Sequence, residues 1–225
     1  MMADSTEVNP RWQGRWDNNE ARWHRDTVNE NLEKFIIDFV PEGQSLTGRA
    51  VFVPLCGKTI DMKWLYDKGF TVVGVEAVKK KKAILQFFAE QNLEFDVKDV
   101  GALTRYSTKD SKLIIFKGNL FDFSEEISGF KFDHYWDRGS FVAIEKGTRK
   151  QYGELFSNVM KTGSTGLLEV YEYDPEVHSV QPFPIFGNDV EGAFASSFTF
   201  EEVNRHEDHE GSFPRITVVY KLTRN

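Results

Sequence analysis

The sequence predicts an α/β fold, with helices on both faces of a mainly parallel sheet that has an antiparallel C-terminal strand, and three observations support this. Residues 49–76, RAVFVPLCGKTIDMKWLYDKGFTVVGVE, read as strand, tight turn, helix and strand. Strand-like and helix-like segments then alternate, the order that right-handed crossovers turn into a parallel sheet. Two strand-like segments, 196–200 and 215–222, close the chain and suit an antiparallel end.

Each element has its own signal. Residues 1–9 are polar and expected to be loose. From Pro10 the chain becomes aromatic: Trp12 and Trp16, four apart, share one helix face, and Trp23-His24 follows the Asn18-Asn19-Glu20 break. This segment reads either as a helix packed on the sheet edge or as a flap of aromatic and polar tips closing a pocket. Over 31–40 the stripe Leu32, Phe35, Ile36, Phe39 predicts a helix, stopped by Pro41-Glu42-Gly43. A strand at 50–53 turns at Pro54-Leu55-Cys56-Gly57, an amphipathic helix covers 60–66, and the second strand ends on Glu76. Residues 83–91 are expected to be helical, burying Leu85, Phe87 and Phe88, whereas 92–111 are polar with no assignable pattern. Strands are expected at 113–116, 130–137 and 164–173, with a helix over 148–160 before the last. Residues 174–187 hold Pro175, Pro182 and Pro184 beside Phe183 and Phe186, which makes this stretch an extended, stiffened loop.

Composition bounds the function. A chain of 225 residues suits one domain over 1–225, and 40% hydrophobic with 28% charged residues is ordinary for a globular protein. With 20 Phe, 7 Tyr and 5 Trp there is more flat surface than a minimal core needs, which fits a pocket for a flat ligand. A net charge of −7 argues against a nucleic-acid partner, and the run Lys79-Lys80-Lys81-Lys82 reads as the solvated face of a helix start. Cys56 is the only cysteine, so neither an internal disulfide nor a thiolate metal cluster can form. The N-terminus lacks a signal-like pattern and no apolar run reaches the ~20 residues of a membrane span. The expectation is a cytoplasmic protein without membrane contact.

Four loops fall at the carboxyl ends of the predicted parallel strands: Leu55-Cys56-Gly57, Glu76, Asn119-Leu120 and Asp137-Arg138. Glu76 lies 19 residues after Gly57, close to the spacing at which doubly wound folds place an acid on a ribose hydroxyl. The competing reading is an ordinary βαβ unit whose Glu76 is a solvated strand end. Cys56 reads as packing rather than as a nucleophile. His206 and His209, among Glu207, Asp208 and Glu210, read as a solvated acidic loop rather than a metal site.

Taken together, Pro54-Leu55-Cys56-Gly57-Lys58, Met62-Lys63-Trp64, Val73-Gly74-Val75-Glu76, Phe87-Phe88 with Glu90-Gln91-Asn92-Leu93, and Trp136-Asp137-Arg138-Gly139 resemble the thiopurine S-methyltransferase family, over nearly the whole chain. The resemblance implies a class I, Rossmann-like methyltransferase with a seven-stranded sheet, residues 1–24 forming a flap over the cofactor site. It implies S-adenosyl-L-methionine as cofactor, held by Trp12, Trp16, Leu55, Glu76, Asn119, Leu120 and Arg138. It implies a small thiol substrate contacted by Trp23, Pro182 and Phe183, and a monomer. Arg138, with Asp137 beside it, is the expected catalytic group, steering a thiolate or ring nitrogen; the alternative is a structural ion pair between the two. The stretch Asn204-Arg205-His206-Glu207-Asp208-His209 does not align with the family's arginine near the substrate, so a role for Arg205 stays open. Two other functions stay open as well: transfer to a different soft acceptor such as sulfide, a selenol or a halide, and cofactor binding without transfer.

Overall fold

The computed structural model describes residues 12, 14, 15, 18, 20, 24–36, 40, 45–77, 82–209 and 213–225. They build one nine-stranded sheet from β1 (Ala50–Val53), β2 (Thr71–Glu76), β3 (Asp96–Val100), β4 (Leu103–Ser107), β5 (Leu113–Lys117), β6 (Phe132–Arg138), β7 (Met160–Glu172), β8 (Phe198–Asp208) and β9 (Arg215–Arg224). The strand order is β3-β4-β5-β2-β1-β6-β7-β9-β8. β5, β2, β1, β6 and β7 are parallel, and antiparallel pairs close both edges.

The helices are α1 (Glu30–Phe35), α2 (Ile60–Asp67), α3 (Lys82–Glu90), α4 (Glu125–Ser128), α5 (Arg149–Val159) and α6 (Gly187–Phe194). α1 starts where the Asn29 side chain accepts the Asn31 and Leu32 N–H groups, and α2 where Thr59 accepts from Asp61. β1 is buried on both faces, as a central parallel strand must be. Its Phe52 stacks on Phe123 at 5.1 Å between centroids, in a core that includes Phe132, Phe156 and Phe194. Val51 and Val53 point the other way, into a second core with Met62, Leu65, Phe87 and Trp136.

Two expectations need correction. The sheet has nine strands rather than seven, because 92–111 form the β3–β4 hairpin. β3 carries Asp96-Val97-Lys98-Asp99 exposed along its length, so it lacks the apolar alternation that marks a half-buried strand. Second, within the expected acidic loop His206 to Glu210, residues 206–208 are strand: they continue β8 in register with β9, His206 and Glu207 exposed as expected but Asp208 buried against Arg215. Of the expected loop 174–187, residues 174–186 are irregular and Gly187 opens α6. Gly153 lets α5 and α6 meet, since a Cβ there would collide with the Ala193 carbonyl oxygen. No helix among the described residues is long and apolar enough to cross a membrane.

Candidate active site

The parallel strands present their carboxyl ends along one edge. From β1 the chain runs outward through β2 to β5 on one side, then returns to β6 on the other. This reversal opens a crevice between the loops after β1 and β6, where doubly wound sheets take ligands.

The loop after β1 is bent by unusual backbone. Leu55 has φ 39° and Gly57 φ 55°, both left-handed, and at a non-glycine residue such a conformation costs about 1–3 kcal/mol. Two bonds to the end of β2 hold it: Cys56 N donates to Val75 O at 2.9 Å and Gly57 N to Glu76 Oε2 at 2.6 Å. Glu76 is therefore no solvated strand end but a buried carboxylate anchored on the turn. Its own carbonyl accepts from Gly118 N at 3.0 Å, which draws in the loop after β5. There Asn119 caps a short 3-10 turn by accepting from Phe121 N at 3.2 Å, with Leu120 buried beneath. Leu55, Glu76, Asn119 and Leu120 are thus assembled along one edge.

Arg138 and Asp137 point to opposite faces of β6. Asp137 is fully buried, accepting from Ser140 N at 3.1 Å, Phe141 N at 3.2 Å and the Tyr152 hydroxyl at 2.6 Å. Burial pushes its carboxyl up to about 7, against the lowering effect of those three donors. Arg138 instead faces Glu169 on β7, with Nε 3.6 Å from Oε1, so the ion pair between Arg138 and Asp137 allowed by the sequence does not form. Burial works against the guanidinium charge, but Tyr171, Glu169 and Asp61 outweigh it and hold the group above its usual range. Arg138 is a cation throughout the physiological pH range.

The remaining expected residues divide. Trp12 is half-buried in a helical turn with Arg15 Cζ 6.0 Å from its ring centroid, whereas Trp16 and Trp23 lie outside the described residues. Pro182 and Phe183 are brought towards the end of β6: Phe183 N donates to Val142 O at 2.7 Å and the Tyr173 hydroxyl donates to Pro182 O. Arg205 forms a two-pronged ion pair with Glu172 on the same end of the sheet. Cys56 packs under Gly74, and burial pushes its thiol well up, consistent with packing.

Sequence reading missed Asp61, Glu169, Asn29 and Asn31, which form a buried polar group beside Arg138. The available signal was a charge inside an apolar strand, Leu167-Leu168-Glu169-Val170-Tyr171, since an acid is rarely buried unless paired. His24 was read only as a neighbour of Trp23. It is half-buried, and burial followed by the Lys58 charge lowers its pKa, so it is neutral at pH 7.

The model of the family described as thiopurine S-methyltransferase matches residues 8–220. The chain belongs to the thiopurine S-methyltransferase family. It is 37% identical over 220 residues to a probable thiopurine S-methyltransferase of Danio rerio, covering 94% of this chain and 91% of the relative. It is 34% identical over 217 residues to thiopurine S-methyltransferase of Bos taurus, covering 94% and 86%. Solved structures share the fold at low identity. Magnesium protoporphyrin IX methyltransferase from Synechocystis, with bound S-adenosylmethionine, superposes with a TM-score of 0.63 at 11% identity over 99% of this chain and 100% of that one. A Burkholderia thailandensis 1,6-didemethyltoxoflavin-N1-methyltransferase gives 0.63 at 11%, over 99% and 93%. The class I methyltransferase fold expected from the sequence is therefore correct, with two strands more than expected.

Proposed function

We propose that this thiopurine S-methyltransferase family member transfers the methyl group of S-adenosylmethionine to a small aromatic or heterocyclic thiol of the thiopurine kind. The observation that carries this reading is the Gly57–Glu76 bond at 2.6 Å, which fixes a carboxylate at the end of β2, on the same sheet edge where β6 ends in Arg138 on the other side of β1. The edge fits the cofactor: Glu76 stands at the strand end where such folds place an acid on a ribose hydroxyl, and among the described residues a Cβ built at Gly139 meets no heavy atom within 4 Å.

In this reading Leu55 supports the cofactor from the turn, Glu76 holds the ribose, Asn119 and Leu120 flank the adenine, and Trp12 and Trp16 close over it from the 1–24 flap. Trp23, Pro182 and Phe183 face the acceptor. Bound S-adenosylmethionine supplies an already activated methyl on a sulfonium. The chain's task is placement: holding an acceptor sulfur in line and excluding water contributes about 7–11 kcal/mol of the barrier. Arg138 meets the negative charge of a thiolate acceptor. Asp137 acts through the backbone, because it fixes the Ser140–Phe141 turn next to Val142, whose carbonyl holds Phe183. The protein works as a monomer in the cytoplasm on a small molecule rather than on nucleic acid, in line with its net charge of −7.

The test is a radiolabelled methyl-transfer screen over thiopurines, thiophenols, sulfide, selenols and halides, with a catechol as oxygen-acceptor control. Transfer to thiopurines and thiophenols well above the other acceptors is the expected result. Preference for sulfide, selenols or halides would replace the acceptor class, and cofactor binding without transfer to any of them would end the enzymatic reading.

A further inference from the structure

Two arginines meet at one tyrosine beside the site. Tyr171 on β7 is 4% exposed. Arg138 and Glu169 are register partners, and Tyr171 lies two positions beyond Glu169, so it faces the same way and stands one step closer to the carboxyl edge. The Arg138 guanidinium donates a hydrogen bond to the Tyr171 hydroxyl. Glu169 supplies charge rather than direction: its Oε1 lies 3.6 Å from Arg138 Nε, beyond hydrogen-bond length, and its Oε2 accepts from Asn29 and Asn31.

The tyrosine ring is pinned from its face. Arg215 Cζ sits 3.9 Å from the ring centroid, a planar cation laid on the aromatic surface. Arg215 is fixed in turn by the buried Asp208, whose Oδ2 accepts from Nε at 2.8 Å, lies 2.6 Å from the terminal nitrogen and also accepts from the Thr217 hydroxyl at 3.3 Å. The Tyr171 carbonyl accepts from Ile185 N at 2.9 Å, which ties the loop of Pro182 and Phe183 to the same residue. We propose that Tyr171 is a positioning residue for methyl transfer: pinned by Arg215, it holds the Arg138 guanidinium in the orientation that meets an anionic acceptor. A charge partner beyond hydrogen-bond length leaves a long side chain free to turn, whereas a hydroxyl at a fixed place selects one arrangement of the N–H fork. Without that hydroxyl the guanidinium keeps its charge and its burial but loses its aim.

This rests on the functional reading above, so the experiment has one arm that needs turnover and one that does not. Single-turnover transfer from bound S-adenosylmethionine to thiophenol is followed against pH in wild type, Tyr171→Phe, Arg138→Ala and the double variant, with thermal melts alongside. Tyr171→Phe is expected to lower the rate about 10- to 100-fold, the scale of a small misplacement of a reacting group. Its acidic limb, where the bound thiol takes up its proton, is expected to move up by about half a unit to one unit, because a misaimed cation stabilises the thiolate less. In the Arg138→Ala background the same substitution is expected to change the rate less than about twofold, the non-additivity of residues acting as a unit. A tyrosine with only a structural role would lower the melting temperature and leave the limb in place. Equal losses in both backgrounds, or an unmoved limb, overturn the proposal.

The second arm reads the guanidinium directly, through the heteronuclear NOE of the Arg138 Nε–H group, assigned by its disappearance in Arg138→Ala. The group is expected to be as rigid as the backbone in wild type and mobile on the picosecond-to-nanosecond timescale in Tyr171→Phe. That result with no thiol methylated by wild type counts against the functional reading alone. A rigid Arg138 in Tyr171→Phe overturns the proposal even where transfer proceeds. Should Tyr171→Phe fail to fold, Arg215→Met takes its place in both arms: it frees the ring face, and a looser Arg138 with a slower transfer is expected. Wild-type rigidity and rate in that variant refute the positioning role.

Discussion

Replacing Glu76 with glutamine removes one charge and almost no volume, and the geometry sets the size of the effect. The carboxylate accepts the Gly57 N–H at 2.6 Å, and a ribose hydroxyl would add a further bond to the same group. Glutamine can keep the first bond through its carbonyl oxygen, but its NH2 then presents donors to the hydroxyl. What is lost is one hydrogen bond to a charged acceptor, about 1.5–3 kcal/mol, or roughly 10- to 150-fold in Kd. The assay is calorimetry with S-adenosylmethionine and S-adenosylhomocysteine, which share the ribose, beside a thermal melt. Both ligands should weaken equally while the melting temperature stays within a few degrees. Affinities for both within about threefold of wild type would refute the ribose assignment. A loss confined to S-adenosylmethionine would place Glu76 on the sulfonium charge instead.

Three further outcomes are expected. Arg138→Ala should lower methyl transfer on the order of 100-fold while the protein stays folded, with Arg138→Lys intermediate because a point charge replaces the planar fork; unchanged kinetics in both would remove the arginine from the reaction. Asp137 has its carboxyl raised from 3.8 to about 7, so its favourable contribution is complete below about pH 4 and is lost as pH rises through 7. Urea titrations should therefore show wild type losing about 2–3 kcal/mol between pH 5 and 7.5 relative to Asp137→Asn, and parallel pH curves would contradict the shift. Gly74→Ala should destabilise by about 1–3 kcal/mol, since its Cβ would sit 2.6 Å from Cys56 Sγ and 2.9 Å from Met62 Sδ, whereas Cys56→Ser should retain activity; thermal melts and turnover of the two variants check both.

The turn after β1 and its tie to Glu76 were legible because their signals are local. An apolar run, a glycine turn and an acid closing the next strand all fall within residues 49–76, and the Gly57–Glu76 bond spans only 19 positions. The alternation of elements likewise fixed a parallel sheet, and the turn at Asn119 followed from its place after an apolar run. β3 was not legible, because a strand exposed along its length carries no apolar alternation. The end of β8 was hidden for a different reason. Asp208 reads as a loop acid until Arg215, seven positions away, is known to lie opposite it across the hairpin.

By itself, then, the sequence determined the fold class, the family and which loops share the carboxyl edge of the sheet, since each rests on motifs that are local in the chain. Only the tertiary structure decided how Arg138 is held. Neighbours in sequence on a strand face opposite ways, which sent Asp137 to Tyr152 and Arg138 to the other face. The partner there, Glu169, is chosen by the pairing register of β6 with β7, and its asparagine donors lie 140 and 138 positions away. No local pattern encodes a contact across that distance, because it exists only once the sheet has set the strands side by side.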